Sequence, residues 1–505
     1  MSRHILSRVI TLMVGPGLAV LGLLLVFLAL GRNTAGAALD RDSTFSEIGT
    51  PSAAFALSGT VVCGATGPIA DVEVSAWDQL RSSVVASDST DSSGIYGVTL
   101  DEGTYYLEFI PPVAAGLNAK AFTTTEVVTG TVLDVNFCVC GSVWFSETVD
   151  GVGNVGLGTS LALAPTYPYT PHIGYTDFIT EHDYDLKHAY LSGTTWFSET
   201  VDRQGGESPS LALAPAYPYT PCVSYQDFWE RWDLRYACRN SSIWTTMTIV
   251  GGLRSRQPSL ALEPTYPYTP HISYFAGWGT SLNPGHAYLS GTTWCSGTWE
   301  REPIEPAGSQ VGWDTSLALE SAYPYTPHVS YCDYITYDLR HAWLSHTTWL
   351  TEIVDSAGAV GRYTSLGLDS SDHPNIGYYD GTNRTLKYAW LRGTTWFSQT
   401  IDSIGRLDPG TRAISLRLDR FDALYICYYD AVNDDLKLAR FDDRVWIIQT
   451  VDSGGDVGQY SSLALDKMGC PHISYYDATN GDLKYAYIPR RYWVHLPLVL
   501  KGLDL

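Results

Sequence analysis
Aromatic rings and carboxylates gather at corresponding turns of this chain. Asp227, Phe228, Trp229, Glu230, Trp232 and Asp233 form the densest group. Trp278, Trp313, Tyr334 and Tyr337 fall at comparable places further on, as Asp177, Phe178 and Tyr184 do before it. A ring face stacks on the C–H surface of a sugar, and a carboxylate beside it accepts the sugar's hydroxyls. The same residue types suit a protein interface, where Tyr and Trp are enriched. They also serve simply to pack loops onto neighbouring elements.

Other residue sets bear on catalysis and metals. His172, His271, His328 and His472 recur at one position of a repeated motif. Convergent imidazoles bind transition metals, but histidines on separate repeats stand too far apart for one ion, so packing is expected. Asp430-x-x-Asn433-x-Asp435 and Asp477-x-x-Asn480-x-Asp482 offer oxygens in the manner of calcium loops, without the EF-hand spacing and glycine. Asx turns account for them. There is no nucleophile elbow, P-loop or HExxH motif, and no arginine set recurs through the repeats. No catalytic residue, metal or cofactor is therefore expected. A formal net charge of −22 excludes nucleic acid, which needs a basic face, and suits solubility.

The elements that must position these residues are repeats. Trp144, Trp196, Trp244, Trp294, Trp349, Trp396 and Trp446 recur about every 50 residues. Ser-Leu-x-Leu segments begin at Ser160, Ser210, Ser259, Ser316, Ser365, Ser415 and Ser462. Each leads to a strand of the type Pro270–Tyr274 and then one of the type Leu386–Ala389, with Gly, Asp and Asn between. Four short strands per unit, seven times over, predict a seven-bladed β-propeller over 141–488. The array opens on a lone Trp-bearing strand, Val143 to Val149, and stops at Leu483 to Ile488. The first strand can complete the last blade, closing the ring without an exposed sheet edge; an open solenoid is the alternative. Units one to four also carry Tyr-Pro-Tyr-Thr-Pro at Tyr167, Tyr217, Tyr266 and Tyr323. It falls between the first and second strands, on the rim opposite the aromatic–acidic turns. Pro-braced turns are expected there, with a surface for a partner or cell-wall polymer as the alternative.

These SLAL, PHISYYD and LKYA motifs resemble those of bacterial propellers distantly similar to the sialidase-like group. The resemblance implies the fold. The sialidase Asp box, Ser-x-Asp-x-Gly-x-Thr-Trp, survives only in its tail, as in Gly193-Thr-Thr-Trp196 and Gly393-Thr-Thr-Trp396, with Leu191 and Leu391 where the Asp would stand. The Gly and Trp are then a turn and inter-sheet packing.

Residues 55–139 read as a small β-sandwich. Strand-like stretches run from Ser58 to Val62, Ala70 to Trp77, Thr90 to Tyr96 and Gly103 to Leu107, with Asp91–Gly94 as a turn. They resemble the carboxypeptidase regulatory-like domain, a prealbumin-like and Cna-B-like sandwich, which implies a spacer or accessory module. Before it, Arg3 and Arg8 precede an uncharged stretch from Val9 to Gly31 and an Ala35-Gly36-Ala37 site. Residues 1–38 are thus a signal peptide or an uncleaved N-terminal membrane anchor in the form of a hydrophobic helix. A linker, 39–54, follows, and an apolar tail, 489–505, ends the chain.

The nine cysteines include no CxxC pair. Cys222 and Cys238, on neighbouring strands of one repeat, are the first candidates for a disulfide, and Cys63 with Cys138 or Cys140 the second; buried free thiols are the alternative. The expectation is an all-β, exported, monomeric binding protein, secreted or on the outer face of the membrane. Its ligand would be a carbohydrate or an extracellular protein. The alternatives are a degenerate sialidase-like hydrolase or lyase, and a structural surface component without ligand.

Overall fold
The computed structural model describes strands between residues 55 and 128 and, short loop stretches apart, residues 144–488. Segments 1–38, 39–54 and 489–505 lie outside the described residues, as do Cys138 and Cys140. Every regular element described is a β-strand. In the N-terminal part, Phe55–Thr60 pairs antiparallel with Ile95–Leu100. Val84–Ser89, Glu73–Trp77, Gly103–Ile110 and Phe122–Val128 form a four-stranded antiparallel sheet in that order.

The rest is a seven-bladed β-propeller of four-stranded antiparallel sheets. Blade 1 is Asn154–Leu163, Pro171–Thr180, Asp183–Ser192 and Thr195–Asp202, innermost strand first. Blades 2 to 7 begin at Glu207, Arg256, Val311, Val360, Ile414 and Val457. Blade 7 takes Val457–Leu465, Pro471–Asp477 and Asp482–Tyr487 from the end of the array and Phe145–Asp150 from its start. The borrowed strand pairs with the last, Leu483 opposite Asp150 and Tyr487 opposite Phe145, so the expected overlap closes the ring.

Burial follows from each strand's place in its blade. Pro327–Asp333, Pro374–Asp380 and Leu424–Asp430 are buried at every residue, because neighbouring blades cover both faces. Polar side chains such as His328, Ser330 and Asn375 are buried there together with the apolar ones. Outermost strands such as Thr348–Asp355 are half exposed. Most of the repeated tryptophans close the seams between blades. In blade 3 that place belongs to Trp299, paired with Leu289 and edge-on to Tyr236 at 5.2 Å, and not to the expected Trp294, because the turn before that strand is longer. Trp196 meets Tyr485 edge-on, and Trp244, Trp349, Trp396 and Trp446 meet His188, His286, His341 and Tyr388 in the same pose, with centroids 5.2 to 5.6 Å apart. The Asp-box remnant is thus inter-sheet packing, and Gly193 and Gly393 supply the left-handed turns before it at φ 65° and 64°.

Seven serines tie the innermost strands together. Each Oγ accepts the leucine N–H of the following blade: Ser160 from Leu211, Ser210 from Leu260, Ser259 from Leu317, Ser316 from Leu366, Ser365 from Leu416, Ser415 from Leu463 and Ser462 from Leu161, at 2.9 to 3.1 Å. That is the physical content of the Ser-Leu-x-Leu motif. The chain bulges two residues before most of these serines, with φ of 54° at Ser208, 50° at Gln257, 55° at Asp314 and 53° at Tyr363 and Tyr460.

Two expectations need correction. Trp313 lies not in a loop but within the innermost strand Val311–Leu319, opposite Cys332, because that strand starts further upstream than the motif suggests. Cys222 and Cys238 are register partners yet do not bond. Cys238 is bridged to Cys295 of blade 3, with Cα atoms 5.7 Å apart, and Cys222 is a buried free thiol. The reason is the seam: Cys238 sits near the end of its strand, where the turn before blade 3's outermost strand comes alongside.

Candidate functional site
Blade topology sets two rims. Turns between second and third strands share the first rim with the crossings between blades. Turns between first and second strands share the second rim with those between third and fourth. The expected aromatic–acidic residues belong to the first rim. Phe228 and Trp229 lie outside the described residues, and Trp278 ends the strand Pro270–Trp278. Trp232 and Tyr337 occupy equivalent turns and both take φ of 60°, the left-handed region that bulky residues rarely enter. Tyr334 and Ile335 beside them are exposed. Arg362 of the next blade rests its guanidinium 5.2 Å from the centre of the Tyr337 ring.

The acidic members of this set hold the scaffold. Asp227 is buried with Oδ2 3.5 Å from Arg235. Asp233 Oδ1 accepts the Gly252 N–H at 2.6 Å. Phe178 and Tyr184 face each other across paired strands, T-shaped at 5.3 Å. Asp430 is also committed: Oδ1 accepts Val432 N–H, and Oδ2 accepts the Asn433 amide and lies against the Lys437 ammonium. Asp477 likewise accepts from Asn480. Both are Asx turns.

Beneath the first rim runs a set of contacts not anticipated from the sequence. At six of the seven seams, a buried second-strand tyrosine donates to a carboxylate at the end of the preceding blade's last strand, and a third-strand Lys or Arg lies against the same carboxylate. Tyr175 and Lys187 meet Asp150 at 2.7 and 3.0 Å. Tyr225 and Arg235 meet Asp202 at 2.6 and 2.7 Å. Tyr331 with Arg340 on Glu305, Tyr378 with Lys387 on Asp355, Tyr428 with Lys437 on Asp402 and Tyr475 with Lys484 on Asp452 repeat the pattern. Burial works against the charge on Asp150, Asp355 and Asp452, but hydrogen bonds from the tyrosine and lysine outweigh it and hold these carboxyls below their ordinary range. The signal was present in the Tyr, Lys and Asp of the repeated motifs, but only the fold shows that they meet across blades.

The seam between blades 2 and 3 keeps the tyrosine and departs from the pattern in the other two members at once. Val250 stands where the Asp would be and Gly285 where the Lys or Arg would be, opposite Tyr274. The Tyr274 ring fills the vacated space, since a Cβ on Gly285 would lie 2.5 Å from its Cζ. This is also the seam that carries the Cys238–Cys295 bridge.

The second rim presents the Tyr-Pro turns. The Tyr217–Pro218, Tyr266–Pro267 and Tyr323–Pro324 peptides are cis, giving type VI turns closed by hydrogen bonds of 2.8, 2.7 and 2.8 Å from Tyr219, Tyr268 and Tyr325 to the carbonyls of Ala216, Thr265 and Ala322. The first tyrosine of each turn is 85%, 66% and 86% exposed. Each is braced edge-on by the second at 5.9 Å. Three rings thus stand out in one pose on three successive blades.

Inside this rim the recurring histidines form relays. His172 Nδ1 lies 3.0 Å from His188 Nε2, and His188 Nδ1 lies 3.0 Å from Glu199. In blade 3 the chain is Glu263, His271, His286 and Glu302, at 3.3, 3.0 and 2.9 Å. Blade 4 repeats it with Glu320, His328, His341 and Glu352. Burial depresses His172 to about 3 and His286 and His328 to about 4. The histidines of different blades do not converge. Sequence reasoning found the second-strand histidines but missed their third-strand partners, because that position alternates among His, Tyr and Leu through the repeats.

No family model matches the chain, and no curated protein matches it. Solved structures do. The BP39L lectin from Burkholderia pseudomallei is 12% identical, with 68% of this chain and 99% of that one covered at a TM-score of 0.48. The six-bladed lectin of Aleuria aurantia is 12% identical, covering 60% and 96% at 0.40. A leech intramolecular trans-sialidase is 10% identical, covering 89% and 93% at 0.39. The class defined by the strand order is a seven-bladed β-propeller; likeness at this level carries no ligand or activity across.

Proposed function
We propose that this is an exported binding protein that holds an extended carbohydrate along the second rim of its propeller. The observation that carries the reading is the row of Tyr217, Tyr266 and Tyr323, equally posed and outward on blades 2, 3 and 4. A receptor that repeats one ring at each blade suits a ligand that repeats one unit. Each ring supplies a weak, orientation-tolerant stacking face, and several engaged together give avidity. Export is supported by the basic start, apolar stretch and Ala35-Gly36-Ala37 site, and by the Cys238–Cys295 bridge, since disulfides persist in oxidising compartments. The N-terminal strands then serve as a spacer.

The test is co-sedimentation of the full chain with insoluble polysaccharides, alongside a glycan array. Binding is expected, and the triple variant Tyr217→Ala, Tyr266→Ala, Tyr323→Ala should weaken it at least about tenfold, each single variant less. Absence of binding to every polysaccharide, or a triple variant that binds as the native protein does, overturns the proposal. Turnover of a glycoside that depends on one carboxylate would replace it with a hydrolase.

A further inference from the structure
The seam between blades 1 and 2 holds a guanidinium between a carboxylate and a ring. Arg239, on the third strand of blade 2, places Nη2 3.3 Å from Glu199 Oε2 and its guanidinium carbon 5.9 Å from the centre of the Tyr190 ring. The other Glu199 oxygen, Oε1, lies 3.0 Å from His188 Nδ1, and His188 stacks on Tyr190 at 5.6 Å. Carboxylate, imidazole and phenol form one receptor on blade 1, and Arg239 is its occupant.

Two blades on, the same receptor stands without that occupant. His286, Tyr288 and Glu302 hold in blade 3 the positions of His188, Tyr190 and Glu199. The geometry is conserved between the copies: His286 Nδ1 lies 2.9 Å from Glu302 Oε1 and stacks on Tyr288 at 5.8 Å. Across the seam, Arg239 pairs in register with Trp244, and Leu344 pairs with Trp349. Leu344 therefore stands where the arginine would be. A cleft of about 470 Å³ opens there, lined by Glu302, Glu263, Tyr288, His286, His346 and Leu344, and no Lys or Arg lines it among the described residues. The His286 hydrogen bond holds Glu302 below the ordinary carboxyl range, and burial keeps His286 neutral at physiological pH. The cleft is thus anionic.

We propose that this cleft between blades 3 and 4 binds the guanidinium group of an arginine side chain presented by a partner polypeptide. The planar group stacks on Tyr288 and directs its N–H donors at Glu302, as Arg239 does on Tyr190 and Glu199. Arginine is favoured over an ammonium because the chain's own filled copy of the receptor holds a guanidinium. The cleft borders the Tyr323 turn through Pro324, but the proposal rests on Glu302 and Tyr288 and does not require carbohydrate binding at the tyrosine row, so either reading can fail alone.

The test titrates the full chain with N-acetyl-arginine methylamide by calorimetry, with the lysine analogue and glucosamine in parallel. Saturable binding is expected, about tenfold or more tighter than for either comparison ligand. Glu302→Gln should weaken it about tenfold, and Leu344→Arg should abolish it by supplying the cation internally. Arg239→Leu should add one site, by emptying the receptor between blades 1 and 2. No saturable binding, equal or tighter binding of the lysine analogue or glucosamine, or an affinity unmoved by Glu302→Gln overturns the proposal. Glu302→Gln is nearly isosteric, so the test stands even where Leu344→Arg fails to fold.

Discussion

The backbone N–H of Leu161 in blade 1 donates to Ser462 Oγ in blade 7 at 3.0 Å, across 301 residues of sequence. It is the contact that turns six like hydrogen bonds into a circle. Both partners are buried, so neither finds water if the other is removed.

Ser462→Ala should therefore destabilise the propeller by about 2 kcal/mol, as should Ser415→Ala, which strands the buried N–H of Leu463. Urea unfolding monitored by tryptophan fluorescence measures it. Ser290→Ala, at an exposed position, should change little. Equal midpoints for all three variants would refute the role given to the ring.

Asp355→Asn replaces the carboxylate shared by Tyr378 and Lys387. Removing one partner leaves a partly buried lysine uncompensated, and a loss of about 2 to 3 kcal/mol is expected. Lys387→Met in the same background should recover part of it. Thermal unfolding of the two single variants and the double gives the coupling directly.

Three buried thiols should be inert in the native state. Burial raises the Cys222 and Cys427 thiols to about 12 and also raises Cys332. Iodoacetamide should label all three only after denaturation, and a non-reducing peptide map should show Cys238 joined to Cys295. Recovery of a Cys222–Cys238 peptide would contradict the structure.

Acid should weaken the propeller before its carboxylates titrate. His172, His286 and His328 are depressed by burial from 6.5 to about 3, 4 and 4. Between those values and 6.5 the unfolded chain binds more protons than the folded one, so stability is lost as pH falls from about 6.5 towards 4. Asp150, Asp355 and Asp452, held below 3.8, add a second loss only beneath that value. Calorimetry from pH 7.5 to 4 should show the melting temperature falling across this range, with a shallower slope in His286→Gln. A flat profile down to pH 4 would count against the relays.

The propeller was legible because its motifs are short and repeated. Ser-Leu-x-Leu marks the innermost strand through one side-chain hydrogen bond, and Trp196 and its equivalents mark the outermost through one edge-on contact. Both contacts cross a seam, yet each shows in the sequence as one residue type at one motif position; contacts that depend on two motifs together were not legible in the same way. Tyr378 and Asp355 lie 23 residues apart in sequence and on different blades, and nothing in either motif names the other. Cys295 stands outside the aligned pattern of its repeat, so pairing by adjacent strands chose Cys222 instead. The contrast between Arg239 and Leu344 becomes visible only when two seams are laid side by side. Of the first-rim aromatics Trp232, Tyr334 and Tyr337 fall in turns, whereas Trp278 and Trp313 belong to strands, and Asp227 and Asp233 spend their oxygens on the scaffold.

The borrowed strand has a consequence for how the protein is made. Phe145–Asp150 leaves the ribosome before any other strand of the propeller, yet its partner Asp482–Tyr487 comes last. The first strand out therefore waits, unpaired, through the synthesis of the whole array. A chain that stops short of Leu483 keeps an open edge on its first and last pieces alike, the kind of edge that aggregation and proteolysis find. Closure thus doubles as a check on completeness, passed only by a chain translated to its last blade.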